Sequence, residues 1–267
     1  MIFDVSRPWS VGSWESENAD VVPVTVEDVQ TLKNDWLTDN VCPEMTGKLW
    51  IYADLIFRQS PSGRSTTYRA HNFCISQLMR RARYLEREEL KKFPQSHIVL
   101  LRPSMAFMLM QTPDPLTLKS ALPDFTHTTH IFLPINDAHN PNVAEGGSHW
   151  SLLLVSVLDG VAFHYDSLHP SNHNEAKGAV HKLSRLLGTG IRFVDLEDTP
   201  QQENGSDCGV YVCVQMRHLL LKRLLSANAR EKVSMSMGGK LVDAAGGRKE
   251  MLRTIEGFRK EGERRRS

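Results

Sequence analysis

One stretch of the chain, Gln202 to Gly209 (Gln-Glu-Asn-Gly-Ser-Asp-Cys-Gly), places a cysteine where a polar loop becomes an apolar run. The apolar residues after Cys208, from Val210 to Leu225, have the spacing of a largely buried helix. Backbone N–H groups and the positive end of the helix dipole favour a thiolate at such a position. A free cysteine is more often a small buried apolar side chain, so this stretch alone does not establish nucleophilic chemistry.

Two further residues of suitable type lie at the ends of a predicted β-hairpin. His149 opens one apolar strand, Asp166 closes the next, and Asp159-Gly160 between them is a tight-turn signal. In an antiparallel pair the start of one strand lies beside the end of its partner. Because both residues are close to equidistant from the turn, the register predicts that they meet at one end of the sheet.

A cysteine, a histidine and an aspartate in this arrangement are the components of thiol-dependent acyl transfer. Asp166 would hold the imidazole tautomer and His149 would take the proton from Cys208. Gln202 would offer a side-chain N–H₂ to an oxyanion, with the backbone N–H of Cys208 as the second donor. Taken singly, His149 is well explained as a surface histidine and Asp166 as a turn former. Their mutually consistent placement favours the catalytic interpretation.

The composition is that of an ordinary globular protein. The 267 residues are 40% hydrophobic and 24% charged with a formal net charge of +1, which gives no case for nucleic-acid binding. Cys42, Cys74, Cys208 and Cys213 form no CxxC pair and no zinc-ligand spacing, so we expect no metal and no disulfide framework. A reducing compartment, cytoplasmic and/or nuclear, is expected. No signal peptide and no membrane-spanning segment is expected either.

The elements that must position these residues are predicted to form a small central sheet, mixed or antiparallel, flanked by helices. The predicted strands are 129–136, 149–158, 161–166 and 191–196, and the predicted helices are 105–110, 174–188, the run after Cys208 and 249–260. Pro134 is expected to mark a bulge or the end of the first of these strands. The order of helices and strands favours an α+β fold.

The residues around these positions resemble a known family. The patterns are Gly146-Gly147-Ser148-His149-Trp150-Ser151-Leu152-Leu153, His164-Tyr165-Asp166-Ser167 and Gln202 through Gly209. They resemble the ubiquitin-like protease (sentrin-specific protease) family of cysteine peptidases, and look closest to its deneddylase branch. The segment Trp36-Leu37-Thr38-Asp39 is similar to that family's Trp-Leu-Asn-Asp, with Thr38 in place of Asn. The resemblance runs from about Thr129 to Leu225.

The resemblance implies a papain-like clan cysteine peptidase without a cofactor. It would act as an isopeptidase and endopeptidase that cleaves after the C-terminal Gly-Gly of a ubiquitin-like modifier. By the same resemblance, His149, Asp166 and Cys208 form the catalytic triad, and Gln202 lines the oxyanion hole.

The resemblance also implies a substrate tunnel. Trp36 and Trp150 would be its walls around the Gly-Gly end, and Asp39 would contact the modifier's tail. Because only glycine lacks a Cβ, indole walls closed over the backbone would exclude substrates with side chains.

Three regions are expected along the chain: a flexible arm at 1–20, the catalytic domain at 21–228, and a C-terminal extension at 229–267 with a short helix and a basic tail. Residues 41–83 are an atypical insertion at a point where helix normally continues in the family. One hypothesis is translated intron, because Val41-Cys42 can be encoded by GTATGT, a typical splice-donor sequence. The rival is a genuine surface insertion, which loops tolerate. A spliced transcript that contains the whole segment would contradict the intron hypothesis.

The leading functional prediction is a monomeric deneddylase, with the neddylation modifier and its conjugates as partners. A desumoylating protease acting on the small ubiquitin-like modifier is an alternative, and so are a catalytically impaired modifier-binding module and an acyltransferase. The four expected catalytic positions all hold competent residues, which argues against the binding module. Trp150 beside His149 argues for a peptidase over an acyltransferase. No nucleic-acid or membrane partner is expected.

Overall fold

The computed structural model describes residue 78 and residues 80–139, 147–226 and 233–264. The predicted arm at 1–20, Trp36, Asp39 and most of the segment 41–83 lie outside the described residues. The last residues of that segment are described, and Leu78 and Ala82 are buried in the same core cluster as Leu85. The C-terminal end of the segment is therefore part of the packed core.

A mixed sheet of five strands, in the spatial order β1-β2-β3-β4-β5, lies at the centre of the described fold. The strands are β1 Ile98–Leu100, β2 His130–Asn136, β3 Trp150–Ser156, β4 Val161–Tyr165 and β5 Arg192–Asp195. The two outer pairs, β1 with β2 and β4 with β5, are parallel, whereas β2, β3 and β4 are antiparallel. The predicted α+β class with a mixed sheet is confirmed.

Among the described residues, four longer α-helices surround the sheet, and residues 80–84 are helical as well. The longer helices are α1 Pro103–Gln111, α2 His173–Leu187, α3 Cys208–His218 and α4 Ala244–Arg264. Short π- or 3₁₀-helical segments lie at Leu85–Glu89, Leu90–Lys92, Pro115–Leu118 and Leu219–Leu224. Pro103 opens α1, where its missing N–H costs nothing, and Gly188 ends α2 with φ +67°. The last helix is longer than the predicted 249–260. It begins beside Asp243, whose Oδ1 accepts the N–H of Gly246 at 2.8 Å in the manner of an N-cap.

The two faces of the sheet carry separate hydrophobic clusters. Leu152 and Leu154 of β3 lie in a cluster with α3, whereas Leu153 and Val155 face α1 and α2. This follows from the alternation of side chains along a strand. Every residue of β3 is buried as a result, and the strand's sequence is a nearly continuous apolar run.

The expectation that Pro134 marks a bulge or a strand end is wrong. The register of β2 against β3 continues without a break through Pro134, which is opposite Leu152. The parallel partner β1 pairs only as far as Phe132. At Pro134, β2 is paired with β3 but no longer with β1. No backbone N–H donor is therefore needed on the β1 side, and proline fits within the strand.

Candidate active site

The β3–β4 hairpin brings His149 and Asp166 together at one end of the sheet. The register pairs Ser156 with Val161 across a turn in which Gly160 has φ +60°. His149 Nε2 lies 2.6 Å from Asp166 Oδ1, and the two residues are 4% and 1% exposed. The structure thus places in direct contact the two side chains that the hairpin register predicted to meet.

The Asp166 carboxylate is held by two backbone donors as well as by the imidazole. Leu168 N donates to Oδ1 at 2.9 Å, and Asn172 N donates to Oδ2 at 2.9 Å. Burial works against the charged carboxylate, but the hydrogen bonds from His149, Asn172 and Leu168 outweigh it and lower the pKa of Asp166. Asp166 therefore remains an anion that orients the ring of His149.

Cys208 is the first residue of α3 and is 2% exposed. Its side chain is hydrogen-bonded to His149. Because Asp166 occupies Nε2, the nitrogen of the ring that remains for the thiol is Nδ1. Burial opposes protonation of His149, but the hydrogen bonds and charges of Asp166 and Cys208 raise its pKa to about 9. The arrangement stabilises an imidazolium beside a thiolate.

The backbone of His149 is fixed by the last residue of β2 and the residue after it. Asn136 Nδ2 donates to the His149 carbonyl at 3.0 Å, and His149 N donates to Asp137 Oδ1 at 2.9 Å. Gly147, with φ +90°, passes so close that a Cβ there would lie 2.2 Å from Asn136 Oδ1. A side chain at 147 would therefore displace the loop that carries the histidine.

Asn136, Asp137 and Asn172 are the functional residues that the sequence analysis missed. Asn136-Asp137 directly after an apolar strand was an available signal, because short polar residues at a strand end often bind nearby backbone. Asn172 gave no such signal, since its contacts depend on how the chain after Asp166 returns to the sheet.

Gln202 lies on the loop before α3 and joins this loop to the end of β4. Ser167 Oγ donates to Gln202 Oε1 at 2.7 Å, and Gln202 Nε2 donates to the Asn204 carbonyl at 2.6 Å. The backbone N–H of Gln202 donates to the Ser167 carbonyl at 2.8 Å. A primary amide has two N–H bonds, so one donor of Nε2 remains beyond the contact with Asn204.

Comparison with known proteins matches part of the chain to one family model. Residues 111–238 match the Ulp1 protease family, C-terminal catalytic domain. NEDD8-specific protease 2 of Schizosaccharomyces pombe is 42% identical over 173 residues, covering 63% of this chain and 41% of that protein. NEDD8-specific protease 1 of Arabidopsis thaliana is 37% identical over 123 residues, covering 45% of this chain and 54% of that protein.

The chain thus spans about half or less of the length of these two relatives. Among solved structures, the Xanthomonas campestris effector protein XopD bound to ubiquitin aligns with a TM-score of 0.52. It is 22% identical, and the alignment covers 73% of this chain and 95% of that chain. This likeness shows a shared fold.

Trp150, the predicted tunnel wall, is 3% exposed and packs in the cluster that contains Cys208. Within the described residues its indole Nε1 has no hydrogen-bond partner. The other two predicted substrate contacts, Trp36 and Asp39, lie outside the described residues, so the tunnel they would form with Trp150 stays a prediction.

Cys213, on the same helix as Cys208, has a very different environment. It is fully buried, and burial raises the pKa of its thiol to about 12 despite the nearby Arg81. A protonated buried thiol is a poor nucleophile. Of the two cysteines in α3, Cys208 is the candidate nucleophile, because its side chain is hydrogen-bonded to His149.

The described residues contain no group of three or more His, Cys, Asp or Glu side chains suited to a metal ion. In the same part of the chain, none of the helices combines the length and apolar character needed to cross a bilayer.

Proposed function

We propose that this chain is a cysteine peptidase that cleaves after the C-terminal Gly-Gly of a ubiquitin-like modifier, with NEDD8 as the preferred modifier. The observation that carries the proposal is the chain of contacts in which Cys208, at the start of α3, is hydrogen-bonded to His149, whose Nε2 lies 2.6 Å from Asp166. A nucleophile, a base and a group that orients the base are the parts that thiol-dependent acyl transfer requires.

In the proposed reaction the Cys208 thiolate attacks the carbonyl carbon of the modifier's last glycine. The tetrahedral intermediate collapses to a thioester when the C–N bond breaks, and His149 donates its proton to the departing amine. A water molecule, deprotonated by His149, then attacks the thioester and releases the modifier's carboxylate and the thiol. Asp166 keeps the ring oriented through both steps.

The oxyanion of each intermediate would be bound at the start of α3. The backbone N–H of Cys208 and the remaining N–H of Gln202 Nε2 are the proposed donors. The helix dipole adds favourable charge at this end of α3. Removal of one such donor typically slows turnover by about 10²–10³-fold.

The choice of modifier rests on the relatives, because two proteins named NEDD8-specific proteases align with this chain at 42% and 37% identity. Trp150, buried directly after His149, supports a narrow passage for a glycine-only tail. Glycine passes such a constriction because it has no Cβ.

The proposal is tested with NEDD8 and small-ubiquitin-like-modifier probes that end in a thiol-reactive group. We expect a covalent adduct with the NEDD8 probe, none with Cys208→Ala, and an adduct that persists in Cys213→Ala. A NEDD8 probe that ends in Ala-Ala should not react. An adduct only with the other modifier would reassign the substrate, and a folded protein that reacts with neither probe would contradict the peptidase function.

A further inference from the structure

We propose that Arg248, on α4, is a positioning residue for the nucleophile, because it clamps and neutralises Asp207 immediately before Cys208. The proposal rests on the proposed function for its role in turnover. It extends the catalytic unit beyond residue 238, where the family match ends, and makes the C-terminal helix part of the site.

Arg248 reaches the nucleophile loop from 41 positions away in sequence. Its Nε and Nη2 both donate to Asp207 Oδ1, at 3.0 and 2.5 Å. Nη2 also donates to the Ser206 carbonyl at 3.1 Å. Arg248 and Asp207 are each 5% exposed, so this ion pair is shielded from water and from salt.

The second oxygen of Asp207 is held from within the loop. Asn204 Nδ2 donates to Asp207 Oδ2 at 2.8 Å, and Ser206 N donates to Asn204 Oδ1 at 2.9 Å. Both oxygens of the carboxylate are therefore fixed. The peptide unit between Asp207 and Cys208 carries the N–H proposed to bind the oxyanion, so the clamp on Asp207 sets the direction of that donor.

The clamp also has an electrostatic consequence. A carboxylate adjacent to Cys208 would disfavour a thiolate, and the guanidinium of Arg248 offsets that charge. The other titratable groups around the start of α3 are His149 at the β3 end, Asp166 behind its ring, Glu203 on the loop and Tyr211 on α3. Burial, and after it the charges of Asp207 and Glu203, raise the pKa of Tyr211.

A close helix contact brings Arg248 within reach. A Cβ on the neighbouring Gly247 would lie 2.9 Å from Val214 Cγ2 and 3.0 Å from Val210 Cγ1. Met251, one turn further along α4, is buried in the core cluster that contains Cys208. Helix α4 thus packs directly against α3, and this packing holds the Arg248 guanidinium close to the loop before Cys208.

The test is the pH dependence of Cys208 alkylation by iodoacetamide in the full chain, followed by peptide-resolved mass spectrometry. We expect Arg248→Met to raise the apparent pKa of the Cys208 thiol by on the order of one unit, the size expected from an uncompensated neighbouring charge. Arg248→Lys keeps the positive charge, so its Cys208 pKa should lie close to that of wild type. The double variant Asp207→Asn/Arg248→Met, which lacks both charges, should also bring the pKa back towards wild type. Arg185→Met, which breaks an exposed Arg185–Asp114 pair at 3.1 Å, is the control and should change nothing.

A purely structural role for Arg248 predicts another pattern. The melting temperature would fall, the alkylation profile of the folded fraction would match wild type, and Asp207→Asn would add to the damage instead of relieving it; that pattern would overturn the proposal. Should Arg248→Met not fold, Arg248→Gln, which removes the charge but keeps a hydrogen-bonding side chain, carries the same comparison. The alkylation assay uses no modifier. If Arg248→Met shows the shift but the wild-type protein cleaves no modifier, the proposed function is contradicted and the proposed role of Arg248 at Cys208 still stands.

Discussion

Asn172 ties together the backbone and the side chain on which the orientation of His149 depends. Its Nδ2 lies within hydrogen-bond distance of the carbonyls of His149 and Ile135, both at 3.3 Å, and of Ser151 Oγ at 3.2 Å. Its backbone N–H is one of the donors to Asp166. The fully buried Asn172 therefore contacts both residues of the His149–Asp166 pair, His149 through its side chain and Asp166 through its backbone N–H.

We predict that Asn172→Ala lowers the free energy of unfolding by about 1–3 kcal/mol, because buried acceptors lose their donor. The kcat for modifier cleavage should fall as well, since the His149 carbonyl is no longer held from this side. Urea unfolding and steady-state kinetics measure the two effects. Asn174→Ala, on the exposed side of the same helix, is the matched control and should leave both unchanged. Equal losses in the two variants would contradict the role of Asn172.

The raised pKa of His149 gives a prediction for the alkaline side of the pH profile. The folded pKa of about 9 lies above the ordinary histidine pKa of 6.5, so the stabilising contribution is fully present below pH 6.5 and is lost as the pH rises through about 9. The kcat/KM should accordingly decline with an apparent pKa near 9, as the imidazolium–thiolate pair loses its proton.

The same cause predicts a shift in the Cys208→Ala variant. Cys208 is one of the groups that raise the pKa of His149, so its removal should lower that value. Titration of the His149 ring by NMR in the two proteins measures the difference. An unchanged value would mean that Asp166 alone sets the pKa.

The contact of His149 with Asp166 was predictable from sequence because a hairpin with a tight turn has one register. The clamp of Arg248 on Asp207 was not, since a contact between residues 41 positions apart depends on the docking of a whole helix. The same limit applies to β1. Its three residues pair in parallel with β2, and short parallel partners are chosen by tertiary packing, which local propensity does not encode.

The close packing of helix α4 against helix α3 depends on Gly247. We predict that Gly247→Ala lowers the free energy of unfolding by about 1–3 kcal/mol, because its Cβ would press on Val210 and Val214. Gly257→Ala is a control on the same helix. Nothing lies within 4 Å of a Cβ there, so the change should stabilise by about 0.5–1 kcal/mol through helix propensity. Urea unfolding of both variants gives the comparison, and the same sign for both would contradict the packing argument.

For the whole molecule, acid is the expected route to unfolding. Burial opposes ionisation of Asp137, Asp166 and Asp195, but their hydrogen bonds outweigh it and lower the pKa of each carboxyl. A depressed folded pKa gives stability that is present above the unfolded value, about 4, and is lost as the pH falls through the folded value. The free energy of unfolding should therefore drop as the pH falls below about 4.

Asp195 is the carboxylate best suited to test this acid sensitivity, because its hydrogen bonds link β5 to other parts of the fold. Its carboxylate lies 2.9 Å from His164 Nδ1 on β4, 2.6 Å from His173 Nδ1 at the start of α2 and 3.3 Å from His169 Nε2. Asp195→Asn should be less stable at neutral pH and should lose less on acidification. Urea unfolding between pH 3 and 7, where these carboxyls titrate, measures the slope, and a slope equal to wild type would exclude Asp195 as a contributor.

The position of β3 has a consequence for the exchange of backbone amides with solvent. The strand is buried throughout, and Leu152–Ser156 are paired with a neighbour on each side. Amides that are released only by global unfolding exchange most slowly, so those of β3 should be among the last to take up deuterium. His149 directly precedes this strand. The base of the site is therefore anchored to the part of the molecule least subject to local opening, and changes in exchange on modifier binding should fall on the loop before Cys208.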